Sequence, residues 1–395
     1  MGRELSSLQA GDRAGAAPSI SPDRPGRRPE APVPPPASPA RIVRTPAELA
    51  GLADAWNALA EQSGSPMQRA EWAVACSESF CRRGDRLEVV VMGPAGRPTA
   101  IAPLVRRRGS GRLELLGGRE LYEPADFLAA DRPALTALAV ALARSNRPLC
   151  LHRIPADSPT VAALEEAYQG RGLLLRRPVA GSPSIPLDPS WADPLAKLKA
   201  HAGNYRRGRR RAETMGSVGF EMLSPSPEEL PALLEEIFRV EAAGWKGRSG
   251  TALAVDPIRG PFFRRYAKEA ARAGLLRVHR MLLGDRTIAV QMGAEWGGAF
   301  WMFKSGYDEE FQKVSPGILL MLHSIADLAG RGLRSFEVLG VMEPAKRLWD
   351  PVERPCVTVR TYPIGPRGLA LLGADGVRLG LSRMRKRWER RGVAS

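Results

Sequence analysis

The stretch AFWMFKSGYDEEFQKVSPGILLMLHSIADLAGRGLRSFEVLGVMEPAKRLW, residues 299–349, leaves the chain the fewest ways to fold. Ala299–Tyr307 is aromatic and apolar, as strands are. A polar loop follows, and an apolar-periodic helix begins at Ser315-Pro316-Gly317. Serine is a good N-cap, proline is tolerated at the first helical position, and glycine lets another backbone or a ligand come close. A helix start presents free N–H groups and a partial positive charge, so it suits an anion such as a pyrophosphate. Two readings stand here: the tripeptide simply begins a helix, or it also holds a phosphate. Ser335–Leu339 then reads as a strand, and the loop after it carries Lys346 and Trp349.

The elements before and after this stretch complete a unit. Residues 219–223 read as a strand, and 227–243 as a helix entered from Ser226 with Glu228 and Glu229 in its first turn. A helix over 261–273 is stopped by Gly274. Residues 276–283 and 287–296 form a hairpin across Gly284-Asp285-Arg286, and 356–363 is the last strand. The first half is written with similar parts. Thr45 and Glu48 make a capping box for a helix that continues through Trp56 and Leu59. A helix follows over 71–80, then strands over 87–92, 99–106 and 112–116. A helix over 133–143, a strand over 149–154 and a helix over 160–169 close this half. The Pro- and Ser-rich run 181–190 reads as a linker into one helix over 194–215. That helix carries Arg206, Arg207, Arg209, Arg210 and Arg211, which form either a solvated face or a surface toward an anionic ligand.

The expected organisation is therefore a disordered segment over 1–40, too poor in apolar residues to make a core, and an N-terminal domain over 41–185. A linker with the Arg-rich helix spans 186–216, a C-terminal domain 217–365 and a basic helical tail 366–395. A length of 395 residues suits two domains. No apolar run reaches the roughly 18–20 residues of a membrane span. The N-terminus lacks the apolar core of a secretory signal, so the expected location is the cytoplasm. Cys76, Cys81, Cys150 and Cys356 form no CxxC, and the four histidines no HxxxH, so neither a metal site nor a disulfide framework is expected. The net charge of +16 admits a nucleic acid, an anionic membrane or an Arg-rich genome. The preference for Arg over Lys, beside abundant Ala, Gly and Pro, favours the last, and no specific nucleic acid is expected. The tail has Leu379, Met384 and Trp388 as a sparse apolar stripe among Arg385, Lys386, Arg387, Arg390 and Arg391. It reads either as an element for peripheral association with an anionic membrane or as a helix packed on the second domain.

The order GWKGRSGTAL (244–253), DRTIAVQMG (285–293), KSGYDEEF (304–311), SPGILL (315–320) and LGVMEPAKRLW (339–349) resembles the GNAT-type acyltransferases grouped with the cellulose-biosynthesis protein CelD. These are distant relatives of the Fem-type peptidyltransferases. The resemblance covers residues 40–365. It implies an α/β (α+β) fold of two tandem GNAT-like domains, each a mixed, mostly antiparallel sheet flanked by helices. The first would be a degenerate copy that shapes the acceptor cleft. The implied activity is acyl-CoA-dependent N-acyl transfer, from acetyl-CoA or another acyl-CoA to a small-molecule or sugar amine, in exopolysaccharide or cell-envelope metabolism. Two other readings stand beside it. One is a Fem-like aminoacyl- or peptidyltransferase using charged tRNA, although no long helical hairpin arm is visible. The other is a non-catalytic accessory protein of exopolysaccharide assembly.

The resemblance also implies site residues. The usual GNAT phosphate loop, Gln/Arg-x-x-Gly-x-Gly/Ala, is replaced here by Gln312-Lys313-Val314-Ser315-Pro316-Gly317, which keeps the helix start. Lys313, Ser315, Pro316 and Gly317 are the candidates for cofactor binding. Glu241 and Asp308 are candidate proton acceptors, and Tyr307 a candidate proton donor to a leaving thiolate. Lys346 would hold an anionic substrate or an oxyanion; it lies in a stretch similar to the family's Glu-x-Tyr-Lys-x-x-Trp, with Ala345 in place of the tyrosine. Trp245, Glu337 and Trp349 are candidates on the substrate side. Each acid has an alternative as a turn or helix-face residue, and each aromatic as packing. A chain starting at Arg41 is expected to keep the melting temperature of the full chain, since residues 1–40 cannot bury enough apolar area to offset their entropy. A loss of many degrees in calorimetry would contradict that.

Overall fold

A computed structural model describes residues 40–392 apart from 199, 245–249 and 251, with backbone alone for 379, 380 and 382–392. The expectation for segment 1–40 therefore lies outside the described residues up to position 39, as does Trp245.

The first half contributes strands β1 (Arg41–Val43), β2 (Arg86–Leu87), β3 (Val89–Met92), β4 (Ala100–Ala102), β5 (Leu104–Arg106), β6 (Leu113–Leu115), β7 (Leu128–Ala129), β8 (Leu149–Pro155) and β9 (Gly172–Pro186). The second contributes β10 (Val218–Leu223), β11 (Leu276–Leu283), β12 (Arg286–Trp296), β13 (Ala299–Tyr307), β14 (Ser335–Glu337) and β15 (Val352–Pro363). The described helices longer than ten residues are α1 (Ala70–Phe80), α2 (Arg132–Arg144), α3 (Ala202–Met215), α4 (Leu230–Ala242), α5 (Arg259–Arg272), α6 (Pro316–Gly330) and α7 (Pro366–Gly392).

Among the described residues one sheet of eleven strands runs β10-β11-β12-β13-β14-β9-β15-β8-β6-β5-β2, and a second of four runs β1-β3-β4-β7. The large sheet is a palindrome about its centre. β13 and β14 are parallel and joined through α6, while β6 and β8 are parallel and joined through α2. Parallel neighbours need such a crossover. The last strand of each half then crosses over: β9 pairs with β14 of the second half, and β15 with β8 of the first. β9 and β15 pair with each other antiparallel from Val352↔Ser184 to Pro363↔Gly172. The two halves thus share one continuous sheet.

Several local signals act as their chemistry dictates. Thr45 Oγ1 accepts from Glu48 N–H at 3.1 Å while Glu48 Oε2 accepts from Arg44 N–H at 2.8 Å. Ser226 and Glu229 exchange the equivalent bonds before α4. The hairpin at 284–285 and strand β13 stand where the pattern puts them. Three expectations are corrected. The helix from Thr45 breaks at Gly51-Leu52 into Pro46–Ala50 and Ala53–Ala60. The helix over 194–215 is two pieces, Pro194–Lys197 and α3. The first part of the proposed linker at 181–190, up to Pro186, is the end of β9, buried from Gly181 to Ile185. Proline there mimics a linker because it lacks a donor. The strand forms anyway because partners from the far half flank it on both sides, and Gly181 N–H meets Glu353 Oε1 at 2.9 Å.

The halves also meet through aromatic rings. Trp72 of α1 packs edge-on against Phe262 and Tyr266 of α5, each with ring centroids 5.0 Å apart, and against Phe303 of β13 at 5.4 Å. Such pairs add about 0.5–1.5 kcal/mol beyond the area they bury. The described residues include no helix long and apolar enough to cross a membrane.

The start of α7 is held by one buried carboxylate. Asp375 accepts from Arg112 at 3.2 and 2.6 Å, from Arg360 at 3.1 Å and from the Tyr362 hydroxyl at 2.6 Å. These donors hold its pKa below the usual carboxylate range despite burial. Asp375→Ala is expected to cost up to about 3 kcal/mol, because two arginines lose their partner. It should also expose α7 to faster tryptic cleavage. Urea unfolding and timed proteolysis read the two effects.

Candidate functional site

β13 pairs with β14 at only three positions, Ala299↔Ser335, Phe300↔Phe336 and Trp301↔Glu337. β13 then continues to Tyr307, while the other strand turns away at Leu339 and Gly340, both at positive φ. The splay opens a cleft of about 790 Å³. One wall is Met302–Tyr307 and the other is Val338–Val341. Gly317 and Ile318 of α6 line it, and so do Tyr122 and Glu123 from the first half. Trp72, Phe263 and Phe303 supply aromatic surface.

Of the sequence candidates, Glu241, Tyr307, Gly317, Lys346 and Trp349 line this cleft together. Glu241 is buried near the end of α4, and its Oε2 accepts from Leu253 N–H at 2.9 Å. β13 approaches α4 closely here because residue 306 is glycine; a Cβ would stand 2.7 Å from Glu241 Cα. The Tyr307 ring covers Gly317, where a Cβ would lie 3.3 Å from Tyr307 Cδ1. The Lys346 ammonium donates to Leu339 O at 2.9 Å and Val341 O at 2.8 Å, so it closes the turn that ends the second wall. Trp349 is buried beneath it.

The other candidates stand elsewhere. Asp308 faces Arg286 at 2.6 Å and caps the short turn Glu309–Val314 by accepting from Glu310 N–H at 3.1 Å. Glu337 is buried on β14, where Ser335, Ser184 and Arg354 reach its Oε1 at 2.6, 3.0 and 2.8 Å. Lys313 is exposed, and Pro316 is buried. Ser315 corrects its own expectation: it sits in the left-handed region at φ 56°, and its side chain caps nothing. The turn before it ends in that conformation, and its carbonyl instead accepts from Ile318 and Leu319 N–H.

Glu123 is the residue the sequence reading missed. Its Oε2 accepts from Gly340 N–H at 3.1 Å and lies 3.6 Å from Arg153. Burial raises its pKa, against the pull of Gly340 N–H, Arg153, Lys304 and Lys346. Arg153 is wholly buried on β8 at φ 56°. Its guanidinium donates to the carbonyls of Tyr122, Ala180, Gly181 and Gly340 and stacks 5.1 Å over the Tyr122 ring. It fixes Glu123 to the Gly340 wall of the cleft and to β9. An acid before a proline in a loop gives no sequence signal of this.

Residues 199–347 match the family model of the acetyltransferase (GNAT) domain. Comparison with curated proteins finds no match. Solved structures with the same fold include the C-terminal DUF2156 domain of an Agrobacterium fabrum protein described as a lysylphosphatidylglycerol synthetase. It is 11% identical, covers 83% of this chain and 96% of its own, and has a TM-score of 0.51. FemX is 10% identical, covers 82% of this chain and 97% of its own, and has a TM-score of 0.52. A tandem GNAT protein from the clavulanic acid pathway is 14% identical over 83% of this chain and 99% of its own, with a TM-score of 0.44. With its two halves of like topology, the chain is built as two tandem GNAT-like domains of mixed, mostly antiparallel sheet flanked by helices.

The two GNAT-like halves differ at one decisive place. α2 of the first half begins at Asp131, whose carboxylate accepts from Ala134 N–H at 2.8 Å. An internal anion already occupies that helix start. α6 of the second half has no side-chain cap. Pro316 has no N–H, and those of Ile318 and Leu319 donate to Ser315 O, so an anion at this helix start would meet the Gly317 N–H.

Arg153→Met is expected to cost about 3–5 kcal/mol, since it leaves four carbonyls and Glu123 without their buried donor. The Glu123 carboxyl should titrate still higher. Denaturant melts and carboxyl titration by NMR measure both.

Proposed function

We propose that this chain transfers an acyl group from a coenzyme A thioester to an amine bound in the cleft between its two halves. The observation that carries the reading is the splay of β13 from β14, opening at one end onto the uncapped start of α6. The thioester supplies an activated acyl carbon. The first turn of α6 holds the phosphates through the Gly317 N–H and the helix dipole, and Lys313 adds a charge beside it. The stretch of β13 beyond its last pairing with β14 orients the arm that carries the thioester.

Glu123 accepts the proton from the attacking amine. Its raised pKa brings it nearer the operating pH, as a general base requires. Glu241, on the opposite side of the cleft, is the second acid available to position that amine. Nitrogen bonds to the acyl carbon as the carbon–sulfur bond breaks, and Tyr307 returns a proton to the leaving thiolate. Lys346 stabilises negative charge on the acyl oxygen or on the acceptor. An amine of a sugar or another small molecule, in exopolysaccharide or cell-envelope metabolism, fits the sequence likeness to CelD. The five exposed arginines of α3 favour a second reading, aminoacyl transfer from charged tRNA.

Titration calorimetry with acetyl-CoA and longer acyl-CoAs is expected to give heat with the wild type and none with Gly317→Asp, which adds an anion to the phosphate site. Gly317→Ala should weaken binding less, since the Tyr307 ring must shift only slightly. Glu123→Gln is expected to lower kcat by about 10²–10⁴. It should also remove the acidic limb of the pH profile. Because the carboxyl pKa is raised, that limb lies above the range of an ordinary glutamate: activity falls as the pH drops through it. Lys346→Ala should lower kcat more than it changes cofactor affinity. Absence of heat with every acyl-CoA, with RNase-sensitive activity, would install the tRNA reading instead. Absence of both would leave a non-catalytic role.

A further inference from the structure

Helix α7 has two opposite faces. One is docked: Gly368 lies against Pro363, where a Cβ would stand 1.9 Å from the carbonyl oxygen, and Asp375 is buried among Arg112, Arg360 and Tyr362. The other face carries Leu369, Val377 and Leu381 at four- and eight-residue spacings, with Gly373 between them. These apolar side chains are 68%, 63% and 59% exposed, and Ile364, just before the helix, is 70% exposed. A one-sided apolar row on solvent is unusual for a surface helix, whose apolar stripe normally faces the core. In the sequence Met384 and Trp388 follow at steps of three and four residues. Between Arg378 and Arg391 the sequence holds seven Lys or Arg against one Glu.

We propose that the outward face of α7 docks on an anionic lipid bilayer, lying in the plane of the headgroups with Leu369, Val377 and Leu381 toward the acyl chains. Apolar residues along one face, with clustered positive charge, are the pattern of an interfacial helix. Anionic headgroups complement the charge of the helix, whereas a second copy of this helix would bring like charge against it. The buried Asp375 anchor holds the body of the protein at the surface and turns the apolar row outward. The proposal does not rest on the acyl-transfer reading.

Co-sedimentation of the full chain with vesicles tests it. Wild type is expected to bind vesicles of phosphatidylcholine mixed with phosphatidylglycerol, and to bind phosphatidylcholine alone far less. Added salt should weaken the binding. The double variant Val377→Glu and Leu381→Glu should lose about 100-fold in partition, because two apolar contacts are replaced by two repelled charges. Both positions are exposed, so its melting temperature should match the wild type. Replacement of Arg385, Lys386, Arg387, Arg390 and Arg391 by Gln should abolish the preference for phosphatidylglycerol. Failure of the wild type to bind phosphatidylglycerol vesicles at low salt would overturn the proposal. Full binding by the glutamate variant would do so too. A dimer that the glutamate variant splits, with no vesicle binding, would assign the row to a second copy instead.

Discussion

Arg153 has no exposed surface, yet its guanidinium joins the first half, β9 and the Gly340 wall of the cleft. Its guanidinium reaches the backbone on either side of the β9 bend at Ala180 and Gly181, the Tyr122-Glu123 loop of the first half and the Gly340 turn of the second. Arginine has five N–H donors in a fixed fork, and four carbonyls plus one carboxylate surround them. A buried charge so completely ligated fixes relative positions more than it adds net stability. The left-handed backbone at Arg153 costs about 1 kcal/mol or more and persists because the surrounding contacts over-determine it. With this contact in place, Glu123 and the Gly340 turn are held together at the cleft.

The exchanged strands β9 and β15 complete that fastening. Each half supplies the strand that covers the edge of the other, so neither has an open edge at the centre of the molecule. The aromatic cluster of Trp72, Phe262, Tyr266 and Phe303 closes the same boundary from the helical side. A site built from both halves follows. The second half brings the start of α6, which has no side-chain cap, and the first brings the Glu123 carboxyl, its pKa raised by burial. The first half caps its corresponding helix with Asp131, where the second half has no side-chain cap.

Much of the local structure was legible because it depends on neighbours in the sequence. The capping boxes at Thr45 and Ser226, the turn at Gly284, strand β13 and the proline-led start of α6 obey chemistry that acts over three or four residues. Candidate residues on that unit followed, and Glu241, Tyr307, Gly317, Lys346 and Trp349 do meet in one cleft. Asp308 and Glu337 do not, because a carboxylate in a sequence gives no sign of the arginine or serines that will surround it. Ser315 failed as a cap for a similar reason. The preceding turn, which ends in a left-handed residue, consumed its backbone geometry.

The sequence by itself determined most of the local helices and strands, that a helix would begin at Pro316, and that the tail would be basic. Periodicity, capping and composition are local properties, and the chain carries them wherever it folds. Only the tertiary structure decided that 181–186 is a central strand rather than a linker, that Glu123 belongs to the site, and which face of α7 looks outward. Those outcomes depend on partners supplied by the other half of the chain: β14 and β15 beside β9, Arg153 and Gly340 beside Glu123, and Arg112 beside Asp375. A residue's burial and pKa are set by what the fold brings next to it, and that proximity is not written in any window of the sequence.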